Sequence, residues 1–158
     1  MTASIVRSIA AVALVAVASA CSPPWANDDS APVEITVAAD GTSELTLFVS
    51  NQSFTDKSVD VTVMLNGDII IERGFNVGDQ HNYVEHRIRL DKGTHTLSAT
   101  TVIDGESVEL SEGFTIESDH QRYAALNYSH YVPTAPNDPS SSPPGFSFRI
   151  QNEPIGFA

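Results

Sequence analysis

Between Val59 and Thr101 three runs of apolar and polar residues alternate with a period of two, the spacing that puts one face of a strand in a core and the other in water. Val59, Val61, Val63 and Leu65 share one parity, with Asp60 and Thr62 on the other. Val84, His86, Ile88 and Leu90 point one way and Tyr83, Glu85, Arg87 and Arg89 the other. His95, Leu97 and Ala99 likewise alternate with Thr94, Thr96, Ser98 and Thr100. The same rhythm covers Val33 to Ala39 and Glu44 to Ser50 upstream. Downstream it passes through Val108, Leu110, Phe114 and Ile116, then Phe146, Phe148 and Ile150. Between these, RYAALNYSHY alternates imperfectly. Tyr123 to Leu126 would tolerate a helix, but Tyr128 and Tyr131 favour a strand.

Turn chemistry joins these runs. Asn66-Gly67 predicts a two-residue hairpin, because a type I′ turn needs φ > 0 at both central residues. That register gathers Met64, Ile69 and Ile71 on the face away from Val63, a second apolar strip that is either covered by another segment or exposed for binding. A three-residue loop would instead align Ile69 and Ile71 with Val63 and Leu65; the Asn-Gly pair favours the shorter turn. Asp91-Lys92-Gly93 predicts another tight reversal, with His86 opposite Ala99, and Asp104-Gly105 a third. Gly74 to Asn82 reads as a loop anchored by Phe75 and Val77, and Glu112-Gly113 as a bulge or bend. Residues 133–145 contain five prolines and three serines, the composition of an extended irregular loop. Ile155 and Phe157 predict that the final residues dock on the body. The fold expected is all-β: a single antiparallel β-sandwich over 33–158, carrying a Pro-rich loop at 133–145.

The N-terminal segment has a different pattern. Arg7 precedes SIAAVALVAVASA, an uncharged run from Ser8 to Ala20 that is too short to span a bilayer, which needs about 20 residues. It fits the apolar part of a secretory signal, giving a signal peptide at 1–20. Ala18-Ser19-Ala20 then leads to Cys21, the one cysteine of the chain. Ordinary cleavage after Ala20 would leave a free thiol. The segment also resembles the lipobox of bacterial lipoproteins, although Ala18 stands where that family usually has Leu. The resemblance implies a Cys21 acylated through sulfur, a tether over 21–32 (Ser22-Pro23-Pro24, then Asn27-Asp28-Asp29-Ser30), and an anchor in the outer face of the cell membrane, or in an outer membrane. Acyl chains contribute about 0.8 kcal/mol per buried CH₂, so two or three hold stably. A second resemblance is architectural: Leu90-x-x-Gly93-x-His95-x-Leu97 is similar to a strand–turn–strand of bacterial immunoglobulin-like and fibronectin-like surface domains.

Charge narrows the partners. The chain has 8 Lys and Arg against 20 Asp and Glu, a net charge of −12, and losing the signal peptide would remove Arg7 but no acid. Such a surface disfavours nucleic acid, whose binding depends on neutralising phosphates, and disfavours adsorption on anionic headgroups. Attachment to a membrane would therefore come through the lipid. A lone cysteine permits no internal disulfide, so packing and the β ladder must supply the stability.

Candidate chemistry is sparse. Five histidines invite a metal, but on the hairpin register His86 and His95 lie about 13 Å apart at roughly 3.3 Å per residue. No Cys-x-x-Cys, His-x-His or His-Glu-x-x-His occurs. Asp40-Gly41, Gly67-Asp68, Gly78-Asp79 and Asp104-Gly105 offer oxygens to calcium, yet all sit where turns require such pairs. No nucleophile elbow, phosphate loop or dinucleotide motif is present. No metal, cofactor or catalytic residue is expected. His95, opening a strand, is expected to cap the core through a backbone hydrogen bond. Aromatic residues offer a binding surface: Tyr83, Tyr123, Tyr128, Tyr131 and Trp25. Tyr83 lies beside Arg87 and Arg89, a cationic spot suited to a carboxylate-bearing ligand or acidic partner, unless acids of a neighbouring strand pair with it. The expectation is a non-enzymatic, lipid-anchored envelope protein presenting a β-sandwich to an envelope protein or glycan. The alternatives are a carbohydrate-binding module with exposed coplanar aromatics, and a small hydrolase with converging carboxylates.

Overall fold

The computed structural model describes residues 33–37, 41–77, 83–117, 121–133 and 140–156. The signal peptide, the tether, Cys21, Trp25, His81, His120 and Phe157 lie outside the described residues. Nine strands are described, in order: β1 (Val33–Thr36), β2 (Ser43–Asn51), β3 (Ser58–Leu65), β4 (Asp68–Asn76), β5 (Val84–Leu90), β6 (Gly93–Ile103), β7 (Glu106–Ile116), β8 (Arg122–Tyr131) and β9 (Ser142–Gln151). They form a five-stranded sheet, β1-β5-β2-β8-β9, packed on a four-stranded sheet, β4-β3-β6-β7. The protein is an all-β sandwich. Most neighbours are antiparallel, but β1 runs parallel to β5 and β2 runs parallel to β8.

The period-two residues build the core between the sheets. Leu45, Leu47 and Val49 from β2, Val61, Val63 and Leu65 from β3, Ile88 and Leu90 from β5, and Leu97 and Ala99 from β6 are all buried. Burying one such aliphatic side chain contributes about 1.5–3 kcal/mol, and with no disulfide this apolar layer holds the sheets together. Phe146, Phe148 and Ile150 of β9 pack against the same core. Ile155 is buried, 8% exposed, as the sequence predicts. Tyr123 to Leu126 belongs to β8, where Ala124 and Leu126 face the core.

The β3–β4 hairpin reconciles its two competing registers. Asn66 and Gly67 hold φ of 55° and 93°, and the turn pairs Leu65 with Asp68 and Met64 with Ile69. The register then shifts by one residue, so Val63 faces Ile71 instead of Ile70. This bulge corrects the expected apolar strip. Ile71 turns inward and is 5% exposed, while Ile69 stays on the outer face at 59%. Asn-Gly geometry set the turn, and the demand of a core for one more aliphatic residue set the register beyond it.

Four further expectations are corrected. Asp91-Lys92-Gly93 is not a hairpin turn: β5 pairs with β1 and β2, whereas β6 pairs with β3 and β7, so this connection crosses between sheets. His86 therefore lies beside Val33 and Leu47, not opposite Ala99. Strand β4 runs to Asn76, so Phe75 is a buried strand residue rather than a loop anchor. Glu112 and Gly113 pair regularly with Leu97 and Thr96, without a bulge. Strand β9 begins at Ser142 and takes in Pro143 and Pro144, which shortens the irregular Pro-rich stretch. Proline has no N–H to give a ladder, and β9 accommodates the pair because it is an edge strand whose register slips between Ser129 and Tyr131 of its neighbour.

Candidate functional site

One end of the sandwich gathers polar and aromatic side chains, and the parallel pairing of β2 with β8 puts them there. In that register Asn51 lies beside Tyr128. The chain beyond Asn51 continues along β8: Gln52 N donates to Tyr128 O at 2.8 Å and Phe54 N to His130 O at 3.0 Å. Three residues past the Asn51–Tyr128 pair, the same register brings Phe54 to Tyr131. Their rings meet edge-to-face, with centroids 5.9 Å apart and planes at 79°.

The loop at 52–56 is a polar turn locked by its own side chains. Asn51 Oδ1 accepts from Ser53 N (2.9 Å), and Ser53 Oγ accepts from Thr55 N (3.0 Å) and Asp56 N (2.7 Å). These are the side-chain–backbone bonds by which Asn and Ser favour turns. Asn51 Nδ2 donates to Asp56 O and Phe75 O, tying the loop to β4. Ser53 Oγ donates in turn to His130 O at 3.0 Å.

This turn aims Asp56 at β8. Its Oδ2 accepts from Tyr128 Oη at 2.6 Å and lies 2.7 Å from His130 Nδ1. Tyr128 and His130 are two residues apart on one strand and share a face. Burial pushes the Asp56 carboxyl up, but hydrogen bonds from Tyr128 and His130 and the charge of His130 outweigh it and hold the group below its ordinary value. The Tyr128 phenol is pushed well above its usual range, by burial first and then by its bond to the Asp56 carboxylate. With Nδ1 fixed on a carboxylate, the imidazole of His130 has a set orientation and presents Nε2 as its other polar atom. His130 lines an open cleft of about 450 Å³ with Phe54, Tyr131, Gln52, Ser129 and the serines at 140 and 142. That volume, lined by two aromatic rings beside imidazole, amide and hydroxyl groups, suits a small-ligand site.

The histidines singled out by the sequence go to separate places. His86 is 2% exposed in the core, and neither ring nitrogen has a hydrogen-bond partner among the described residues. Burial, helped by the charge of Arg73, lowers its pKa to about 4. His95 does bond to backbone as expected: Nε2 donates to Asp91 O at 2.9 Å, and Nδ1 accepts from Asn66 Nδ2 at 3.0 Å. Asn66 Oδ1 accepts from Thr96 N, which sets the amide orientation. His95 thus clamps the Asn66 turn to the inter-sheet connection. Among the described residues no three of His, Cys, Asp and Glu converge as metal ligands.

The structure places the Tyr83, Arg87 and Arg89 group along the outer face of β5. Tyr83 is half-buried just ahead of the strand, and Arg87 and Arg89 are exposed. Arg87 Nε donates to Glu85 at 2.9 Å, and its guanidinium is 3.9 Å from Glu34 of β1. Arg89 stands beside Thr36 and Glu44. Neighbouring acids therefore meet this cationic spot, a cross-strand pairing that competes with any acidic ligand. Of the tyrosines, Tyr128 is fully buried and serves the Asp56 network, whereas Tyr131 reaches the cleft.

Sequence reading missed the Asp56–His130 pair because 74 residues separate its members and neither belongs to a motif. The available signals were Asn51-x-Ser53-x-x-Asp56, the composition of a side-chain-locked turn, and Tyr128-x-His130 on one strand face. No protein-family model matches the chain, and no curated protein or solved structure is significantly similar to it.

Proposed function

We propose that this is a non-enzymatic, lipid-anchored protein of the cell envelope, presenting its β-sandwich as a binding module outside the membrane. The observation that carries the binding role is the end cleft, where the exposed ring of Phe54 stands beside an imidazole oriented by Asp56. The apolar run ending at Cys21 carries the address, and the tether at 21–32 would hold the module off the lipid surface. The order β4-β3-β6-β7 in one sheet, with β5 and β2 paired in the other, supports an immunoglobulin-like or fibronectin-like module. Metabolic labelling with a fatty-acid probe tests the address. The wild-type protein should take up label and fractionate with membrane, and Cys21→Ser should lose both properties. Equal release of the two proteins into the medium would refute the anchor.

A second reading, a small hydrolase, is favoured by one observation. A carboxylate on Nδ1 of a cleft-lining histidine is the arrangement that orients a general base, and Ser129 and Ser142 line the same cleft. Turnover of ester or amide substrates that disappears in His130→Gln would promote this reading over the first.

A further inference from the structure

The geometry points to a neutral saccharide as the ligand of the end cleft, held as one sugar residue rather than along a chain; this inference rests on the binding-module reading above. Charge comes first. Apart from His130, the described cleft-lining residues are Phe54, Tyr131, Gln52 and serines, with no Asp, Glu, Lys or Arg among them. An anion would meet a chain of net charge −12 with no Lys or Arg among those lining residues. A cation would lose water without a carboxylate among those described lining residues to replace it, and burying an unpaired charge is costly. Asp56, behind His130, already bonds to Tyr128 and His130. The lining suits a neutral molecule.

The polar atoms suit hydroxyl groups. Asp56 fixes the His130 ring, so Nε2 points in one direction. Gln52 donates through Nε2 to Ser50 at 3.0 Å, which leaves its amide oxygen to accept. The hydroxyls of Ser129 and Ser142 donate and accept. A ligand whose neighbouring hydroxyls do both can satisfy all of these, whereas a purely apolar molecule would strip water from them uncompensated. The apolar part is Phe54, 75% exposed and fastened by its backbone to His130 O rather than by core packing. Its ring face is free of the sandwich interior and can cover the C–H face of a sugar.

The angle between the rings sets the mode. Coplanar aromatics make a flat track on which successive sugars lie. Phe54 and Tyr131 stand at 79°, so one ring offers a stacking face and the other walls it off. The corner accepts a single residue: a chain terminus, a branch or a short oligosaccharide.

The test is an amide-shift titration of the full chain in detergent with methyl glycosides of neutral hexoses and their disaccharides. Saturable shifts centred on Phe54, Ser129 and His130 are expected. Phe54→Ala, at an exposed position, should weaken binding about tenfold or more, the loss of one aromatic contact, while Val102→Ala on the far sheet should leave it unchanged. Binding of insoluble polysaccharide should be weak beside that of its short fragments. Failure of every neutral sugar to shift these residues at millimolar concentration would overturn the inference. Tighter binding of a hexuronate or of a tetraalkylammonium ion would also overturn it. Sugar binding retained while the Cys21 labelling fails would remove the envelope address alone; anchoring without sugar binding would remove the ligand alone.

Discussion

Replacing His86 with Leu should stabilise the protein, and increasingly so toward acid. His86 is 2% exposed between the sheets, and both of its ring nitrogens lack partners among the described residues. Leaving a buried polar group unsatisfied costs about 1–3 kcal/mol, so a leucine of similar bulk should add about 2 kcal/mol at pH 7.5, where the imidazole is neutral in either state. The pH dependence comes from the depressed pKa. The folded imidazole titrates near 4 and the unfolded one near 6.5. Between those values the unfolded chain binds the extra proton, so wild-type stability falls as pH falls from 6.5 and levels off below 4. At about 1.4 kcal/mol per tenfold change in proton affinity, the loss reaches about 3 kcal/mol. The carboxylates titrate alike in both proteins, so the difference between the two curves isolates His86. Urea unfolding followed by far-UV circular dichroism at pH 7.5, 6, 5 and 4 would measure it. The gap should widen from about 2 to about 5 kcal/mol. Parallel curves, or an NMR titration of the His86 ring at 6.5 or above, would refute the reasoning.

The bulge in β4 makes two neighbouring isoleucines unequal: Ile71→Ala should cost about 2–5 kcal/mol in urea unfolding, and Ile69→Ala on the outer face less than about 0.5 kcal/mol. Gly41→Ala would drive a Cβ to 2.8 Å from the Leu90 backbone, so the start of the β2–β5 pairing must shift; a loss of about 1–3 kcal/mol is expected, with amide exchange accelerated at Ser43 and Leu90. Asp56→Ala strips a charged acceptor from Tyr128 and His130 and should destabilise by about 2–3 kcal/mol, whereas Asp56→Asn, which keeps an acceptor, should cost less. Because the Asp56 carboxyl is held below its ordinary value, its contribution is present above the unfolded value near 3.9 and is lost as pH falls through the folded one. The stability difference between wild type and Asp56→Asn should therefore close in strong acid, as thermal melts across pH 2–6 would show.

The strands and their inward faces were legible in the sequence because alternation is a local property: a residue's parity along an extended chain decides its side. Positive φ at Asn66 and Gly67, and again at Asp104 and Gly105, was equally legible, since each requirement belongs to the residue itself. Partner choice was not. The turn at Asp91-Lys92-Gly93 has the chemistry of a hairpin, yet it passes between sheets, because β5 and β6 each find their ladder partners in a different sheet. Pairing is a competition among all the strands, and no one turn decides it. The slip at Ile70 depended on what the facing sheet needed filled. The cleft depended on tertiary structure most of all. Only the parallel register of β2 on β8 brings Phe54 to Tyr131 and Asp56 to His130, and a register between strands far apart in the chain leaves no trace in the local alternation of either one.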